Sequence, residues 1–475
     1  MNKRRVQTAV IGSGLSGIVA AGRLAARGID VLVMDENFHV GGQILRTIPE
    51  NLGIRRDDRL DSIGRIGTRF IESLKQRKLR VLNRTRVLGI YPGPELLVEE
   101  NETGVFIVSA DTVLLAPGAR ERFLPFKGWT LPGVLGTGAV QVLIKSSGVL
   151  PADQLLIGGS GLFLLAVAFE VLRGRGKVLA ILDQKPFLEK TALLGQLLSH
   201  PSKLAEGARF LFRIYGSGVP VHYRTRIVEA RGHGALEEVV VARVDANGNP
   251  VSGRERILRT QALAVGYGFV PNIELADLAG CELEYDDGKG GWVVKVGESL
   301  ETSRRNIFAA GEITGIAGAL KSVNEGEIAA LSIRQRLEKI GETEFTAKLQ
   351  RLNRQRAGHL QFGERFNSLS RIPAQALQSI PDETIVCRCE DVTIGDIKKA
   401  IADGYDTPES LKLTVRAAMG DCQGRICSPV IYDLLALLTR KSPGAIRPFS
   451  VRPPIKPVSI GTLANLIESE NSPRG

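Results

Sequence analysis

VQTAVIGSGLSGIVAAGRLAARGIDVLVMDE, residues Val6–Glu36, is the stretch that decides the fold. An apolar run (Val6–Ile11) meets Gly12-x-Gly14-x-x-Gly17, an alanine-rich segment follows to Arg27, and the run DVLVMD ends at the acid Asp35. This pattern predicts strand, tight turn, helix and strand. Gly12 allows the turn, Gly14 lets backbone approach a pyrophosphate, and Gly17 lets the helix lie close to the strand. The helix N-terminus favours phosphate charge, and Asp35 stands where a ribose hydroxyl would donate. A carboxylate there also disfavours a 2′-phosphate, by like-charge repulsion.

The unit recurs in DQLLIGGSGLFLLAVAFEVLRGRGKVLAILD, residues Asp153–Asp183. An apolar strand leads to Gly159-x-Gly161, and Asp183 holds the place of Asp35, but Leu164 replaces the third glycine. A leucine side chain there is expected to push helix from strand and distort the phosphate turn. The fold of a second unit is expected, without occupation by NAD. A vestigial site and one holding another adenine nucleotide both stay open.

Other residues extend the first site. Gly41-Gly42-Gln43 follows the acid, Ala116-Pro117-Gly118 ends a later apolar run, and Gly311-Glu312 divides an apolar strand from a helix in TSRRNIFAAGEITGIAGALKSVNEGEIAALSI (Thr302–Ile333). On these residues the sequence resembles the flavoproteins with two dinucleotide-binding domains, which include the pyridine nucleotide-disulfide reductases. The resemblance implies FAD held by Gly12, Gly14, Leu15, Ser16, Gly17, Asp35, Glu36, Gly42, Gln43, Val87, Ala116, Gly118, Gly311 and Glu312. Relatives often carry Asp at the place of Glu312, where it meets the ribityl chain, and Glu312 is one methylene longer.

Four of the five cysteines form Cys387-x-Cys389 and Cys422-x4-Cys427, between which TIGDIKKAIADG and TPESLKLTVRAAM predict short helices begun by threonine. Four thiolates suit tetrahedral zinc or an iron–sulfur cluster. A disulfide staple fits poorly in a reducing compartment. The close CxC pair and two enclosing loops favour a [2Fe–2S] cluster over a zinc knuckle. CRCEDVT and MGDCQGRIC also resemble the bacterioferritin-associated ferredoxin-like [2Fe–2S] domain. Neither dinucleotide-binding stretch contains the CxxC that dithiol catalysis beside a flavin requires, and Cys281 stands alone. The five histidines show no ligand spacing. No residue reads as a catalytic acid or base.

At 475 residues the chain has room for about three domains. An apolar fraction of 43% and charged fraction of 24% are ordinary for a soluble protein. No run reaches the ~18–20 apolar residues of a membrane span, and the basic start MNKRR lacks a signal-peptide core. A cytoplasmic protein is expected, with any membrane association made through a complex. The net charge of +11 is scattered and not interleaved with aromatics, which favours a solvated basic surface or a docking face for an acidic partner over nucleic acid.

The fold class expected is α/β: two Rossmann-like domains of the pyridine nucleotide-disulfide reductase type plus a small helical [2Fe–2S] domain at the C-terminus. The expected divisions are residues 1–118 with 266–335 (FAD), 119–265 (second unit), 336–380 (helical linker), 381–440 (cysteine domain) and 441–475 (proline-rich arm). In this order the chain resembles the α or A subunits of heteromeric amine-oxidising flavoenzymes. These comprise opine oxidases, hydrogen cyanide synthase and dye-linked proline and hydroxyproline dehydrogenases; GWTLPGVLGTGAVQ (Gly128–Gln141) and VRPPIKPV near the C-terminus share the likeness. The resemblance implies an electron-transfer subunit for oxidation of a secondary amine, an opine first. It implies a β or B subunit carrying its own FAD and oxidising the C–N bond, and leaves room for a small third subunit, for FMN at a subunit interface and for an adenine nucleotide in the second unit. A stand-alone NADH-dependent iron–sulfur reductase is the reading from a different class.

Overall fold

The strand Lys3–Ile11 is charged and largely exposed at its start and buried from Thr8 to Ile11, as expected of a central strand covered on both faces. In the computed structural model it pairs in parallel with Val31–Met34 on one side and Gly104–Leu115 on the other. Residues 3–46, 67, 69–72, 74, 79–102, 104–191, 201–338 and 340–464 are described. Two compact units divide the chain: Met1–Ala119 with Pro271–Glu364 and Val451–Gly475, and Arg120–Val270 with Arg365–Ser450.

In the first unit Leu79–Leu82 extends the parallel sheet beyond Val31–Met34. Gly104–Leu115 changes partners along its length. Its first half pairs antiparallel with Glu95–Glu100, which pairs with Thr85–Tyr91, while its end takes Ile307–Ala309 in parallel. Alternate side chains face opposite sides of a strand, so two cores result. Ala9, Ile11 and Val113 belong to one, and Val10, Val33, Leu114 and Phe308 to the other. The helix Leu15–Ala25 is buried at every residue but Arg23. It meets the helix Ala319–Glu338 at Gly326, where a Cβ would stand 2.7 Å from the Ser16 carbonyl oxygen.

The second unit holds a five-stranded parallel sheet in the order Val221–Tyr223, Lys177–Asp183, Gln154–Gly159, Leu263–Gly266, Val134–Gly136. An antiparallel meander, Thr225–Arg231, Glu238–Val244 and Pro250–Arg259, accompanies it. Leu164 is buried on one side of the sheet with Leu155, Ile157 and Val167. On the other side a single core runs from Leu156, Leu182 and Leu263 to Val386, Ile394, Val430 and Leu434. The cysteine-bearing module therefore shares its core with this sheet.

That module is a short hairpin, Ile385–Cys387 with Val392–Thr393, followed by the helices Ile394–Ala402, Pro408–Val415 and Ser428–Thr439. Both helices expected to begin at threonine do so, and each start is a reciprocal capping box. Thr393 pairs with Asp396 and Thr407 with Ser410, satisfying helix N–H groups that would otherwise lack acceptors. The charged connector is largely one helix, Glu342–Ser368. The proline-rich end of the chain is anchored on the first unit, where Ile455 is buried and its amide donates to the Leu88 carbonyl at 2.9 Å. Among the described residues no helix is long and apolar enough to cross a membrane.

Candidate functional site

The first glycine turn is closed by backbone contact on two sides and open on a third. A Cβ at Gly12 (φ +100°) would strike the Ala116 carbonyl oxygen, and one at Gly17 the Gly12 carbonyl oxygen, whereas one at Gly14 would meet nothing within 4 Å. Gly14 is extended (φ −65°, ψ −178°) and caps the helix that begins at Leu15. Gly41 donates its amide to the Ser13 carbonyl at 2.9 Å, and a Cβ at Gly42 would stand 2.9 Å from Gly14 Cα. The GG loop therefore lies against the turn. Gly118 (φ +74°) also faces open space, and its carbonyl accepts from the Asn272 amide at 3.1 Å. Leu15 and Val87 are buried in this unit, while Gln43 is exposed.

Asp35 is buried and heavily bonded. One carboxylate oxygen accepts from the Ser13 amide and hydroxyl, both at 2.6 Å, and the other from the Asn37 amide (2.8 Å) and side chain (2.7 Å). Two cations attend it. Arg46 donates to Asn37 Oδ1 at 2.9 Å, while its buried Nε has no partner. Burial lowers the pKa of Arg46, and Asp35 acts against that. Lys456 pairs with Glu36, and burial lowers its pKa too, opposed by Asp35. The unpartnered Arg46 Nε and the clear space at Gly14 are features a bound pyrophosphate nucleotide would use.

At the Gly311 turn, Ser16 donates to the Ala310 carbonyl at 3.2 Å, and Gly311 (φ +88°) leaves no room for a Cβ against the Ser16 hydroxyl. The Glu312 carboxylate accepts from the Ala317 (3.0 Å) and Gly318 (2.9 Å) amides. It thus bonds the loop entering the helix Ala319–Glu338, and burial raises its pKa. Beneath lies a network that sequence reasoning missed. Lys321, with no exposed surface, donates to the Gly311 and Gly315 carbonyls (2.6 and 2.9 Å) and the Thr314 hydroxyl (2.6 Å), and pairs with Glu325. Glu325 also accepts from the Gly311 amide (2.8 Å) and Arg356 (2.7 Å). Burial lowers the pKa of Lys321. For Glu325 burial acts upward, but Lys321 and Arg356 hold its carboxyl below the usual range. The available signal is Lys321 and Glu325 one helical turn apart in a helix that continues into the apolar run IAAL (Ile328–Leu331).

The thiols influence one another in pairs that cross their order in the chain, Cys427 with Cys387 and Cys422 with Cys389. The Cys427 thiol beside Cys387, with the nearby Ala418, Glu390 and Cys389 amides, brings the Cys387 pKa down to about 6 against the upward pull of burial. Cys427 is pushed up by its bond to Cys387 and by burial. Cys389 is pushed up mainly by burial, although its residue is exposed to solvent as a whole. Gly420 leaves no room for a Cβ against Cys389, so the second loop lies directly on the first. Amides aimed at a sulfur suit a thiolate, as cluster ligation requires. Among the described residues no group of three or more His, Cys, Asp or Glu is arranged to hold a single metal ion.

The module is tied into its unit by Trp129, whose Nε1 donates to the Ile385 carbonyl at 2.7 Å, by Arg120, which donates to the Arg425 carbonyl at 2.9 Å, and by an Arg122–Asp433 ion pair. Cys281 is buried, its thiol 3.4 Å from the Thr302 hydroxyl and its pKa raised by burial.

The second glycine turn departs from the first. Gly161, in the place of Gly14, adopts φ +104° and faces Ser370, with no room for a Cβ. Ser160, in the place of Ser13, donates to the Leu369 carbonyl at 2.7 Å. The following helix starts at Phe163 after Leu162 in a helical conformation. Asp183 is fully buried and accepts from the Lys185 amide at 2.9 Å.

Comparison with known proteins gives a consistent set of relatives. The pyridine nucleotide-disulphide oxidoreductase profile matches residues 6–330, and the sarcosine oxidase A3 domain profile matches residues 382–466. The chain is 34% identical to the HcnB subunit of hydrogen cyanide synthase from Pseudomonas aeruginosa, across 98% of this chain and 99% of that one. It is 30% identical to the A-type subunit of opine oxidase from Rhizobium meliloti, across 96% of this chain and 87% of that one. Among solved structures, L-proline dehydrogenase from P. horikoshii shares the fold, with a TM-score of 0.70 at 20% identity over 97% of this chain and 80% of that one.

Proposed function

The chain belongs to the pyridine nucleotide-disulphide oxidoreductase family, grouping with HcnB of hydrogen cyanide synthase and the A-type subunit of opine oxidase, and we propose that it is the electron-transfer subunit of an enzyme that oxidises the C–N bond of an opine. It is an oxidoreductase subunit of the flavin-dependent, amine-oxidising type, and its relatives are subunits of heteromeric enzymes. The finer reading concerns its cofactors, its donor and its partner.

FAD lies on the first turn in this reading. Gly12 and Gly17 shape the turn, Gly14, Leu15 and Ser16 face the FAD pyrophosphate, Asp35 and Glu36 its ribose, and Gly42, Gln43, Val87, Ala116, Gly118, Gly311 and Glu312 line the remainder. Ser13 and Asn37 hold the Asp35 carboxylate in position, and Lys321 and Glu325 hold the Gly311 turn. Cys387, Cys389, Cys422 and Cys427 are the ligands of a [2Fe–2S] cluster. When bound, FAD takes up electrons in pairs and the cluster passes them on singly, which is why the two belong in one polypeptide.

The observation that carries this reading is the close packing of the two cysteine loops, Gly420 against Cys389, in the same chain as the open glycine turn. The donor would be oxidised by a second, β-type flavoprotein subunit, which this chain relieves of electrons. A second reading, as part of a hydrogen cyanide synthase, draws on the 34% identity over nearly all of both chains. The test is copurification with the protein of the neighbouring reading frame, followed by dye reduction with octopine, nopaline, proline, hydroxyproline and glycine. Reduction by an opine is expected. Reduction by glycine would transfer the reading to the synthase type, and flavin bleaching by NADH without the companion would refute it.

A further inference from the structure

The two glycine turns share one sequence pattern, so each position in the first serves as a control for its counterpart in the second. Gly14 is extended, with empty space beside it, and Gly161 is left-handed, with Ser370 against it. The Ser13 hydroxyl donates to the ribose-side acid Asp35, while the Ser160 hydroxyl turns instead to the Leu369 carbonyl. Ser370 also faces Gly268, just beyond the strand Leu263–Gly266, so it stands between the two glycine positions at the C-terminal end of the sheet. That crevice is where α/β sheets of this type receive a pyrophosphate.

We propose that the dinucleotide crevice of the second unit is filled by the chain's own Leu369–Ser370, and that it serves as the seat of the segment leading into the cysteine module. A phosphate oxygen bonded to the turn needs a backbone approach of about 2.9 Å. The space for that approach is where Ser370 stands, too near for even a methyl group on Gly161. Leu164 fits the same role. With its side chain in the core beside Leu155 and Val167, the turn no longer needs the close helix approach that a phosphate site requires. The unit retains its sheet because the module is built on it through a shared core, and the old ligand crevice becomes an internal joint.

The proposal goes beyond the assignment of FAD and is tested on the full-length protein. Calorimetric titration with NADH and with ATP is expected to show no saturable binding up to about 1 mM. In Ser160→Ala, loss of one buried hydrogen bond to Leu369 is expected to speed hydrogen exchange of amides 367–373 by about five- to tenfold. The ~450 nm flavin absorption of the same sample should be unchanged, which separates this result from any failure of the FAD reading. Saturable binding of either nucleotide to the wild-type protein, or unaltered exchange over 367–373 in the variant, would overturn the proposal.

Discussion

The Lys321 ammonium stands 3.0 Å from the Glu325 carboxylate, and neither side chain reaches solvent. Each is also tied to the Gly311 turn, Lys321 through the Gly311 carbonyl and Glu325 through the Gly311 amide. The pair thus fixes both peptide groups of one residue in the turn that leads into the helix Ala319–Glu338.

Removing one partner should cost far more than removing both. Lys321→Met leaves a buried carboxylate with Arg356 as its remaining cation, so a loss of about 3–5 kcal/mol is expected in urea unfolding. Lys321→Met combined with Glu325→Leu should recover part of it. Equal losses in single and double variants would show that the pair is not a coupled unit.

Gly17→Ala should act where Leu164 is tolerated. A methyl group at Gly17 meets the Gly12 carbonyl oxygen, so helix and strand must separate at a cost of about 1–3 kcal/mol. Retention of FAD on gel filtration is expected to fall with it. Leu164→Ala should instead open a cavity in the second unit, costing about 2–5 kcal/mol, and leave FAD retention unchanged.

The capping box at Thr393 makes a pH-dependent prediction. Asp396 accepts from the Thr393 amide and hydroxyl, and those bonds hold its pKa below the ordinary value. A carboxyl depressed in the folded state contributes stability that is present above its unfolded pKa of about 3.9 and is lost as pH falls through the lower folded value. Asp396→Asn should therefore lower the melting temperature at neutral pH, and the difference from wild type should vanish in strong acid. A difference that persists there would mean the side chain acts by shape and not charge. Thr393→Ala is expected to cost about 1 kcal/mol by removing the cap.

Cys422→Ser should remove the visible absorption of the cluster and electron transfer to dye, while the flavin band remains. Simultaneous loss of flavin and fold would make the four-cysteine module a structural clamp.

What the chain shows in one dimension is whatever repeats at short range. The strand–turn–helix units are legible because Gly12, Gly14 and Gly17 act within a single turn of backbone, and Leu164 marks the copy that departs from that pattern for the same reason. The helices starting at Thr393 and Thr407 are legible because capping joins residues three apart. Four clustered cysteines announce a thiol cradle. Their spatial partners are another matter: sequence proximity groups Cys387 with Cys389, while the fold sets Cys387 beside Cys427. Arg356 reaching Glu325, Lys456 meeting Glu36, and Ser370 lying against Gly161 are likewise decided by tertiary structure. These contacts join residues far apart in the chain, and nothing in local backbone preference encodes which distant side chain arrives. Propensity and spacing determine each element and each turn; the burial of shared apolar faces determines which of them meet.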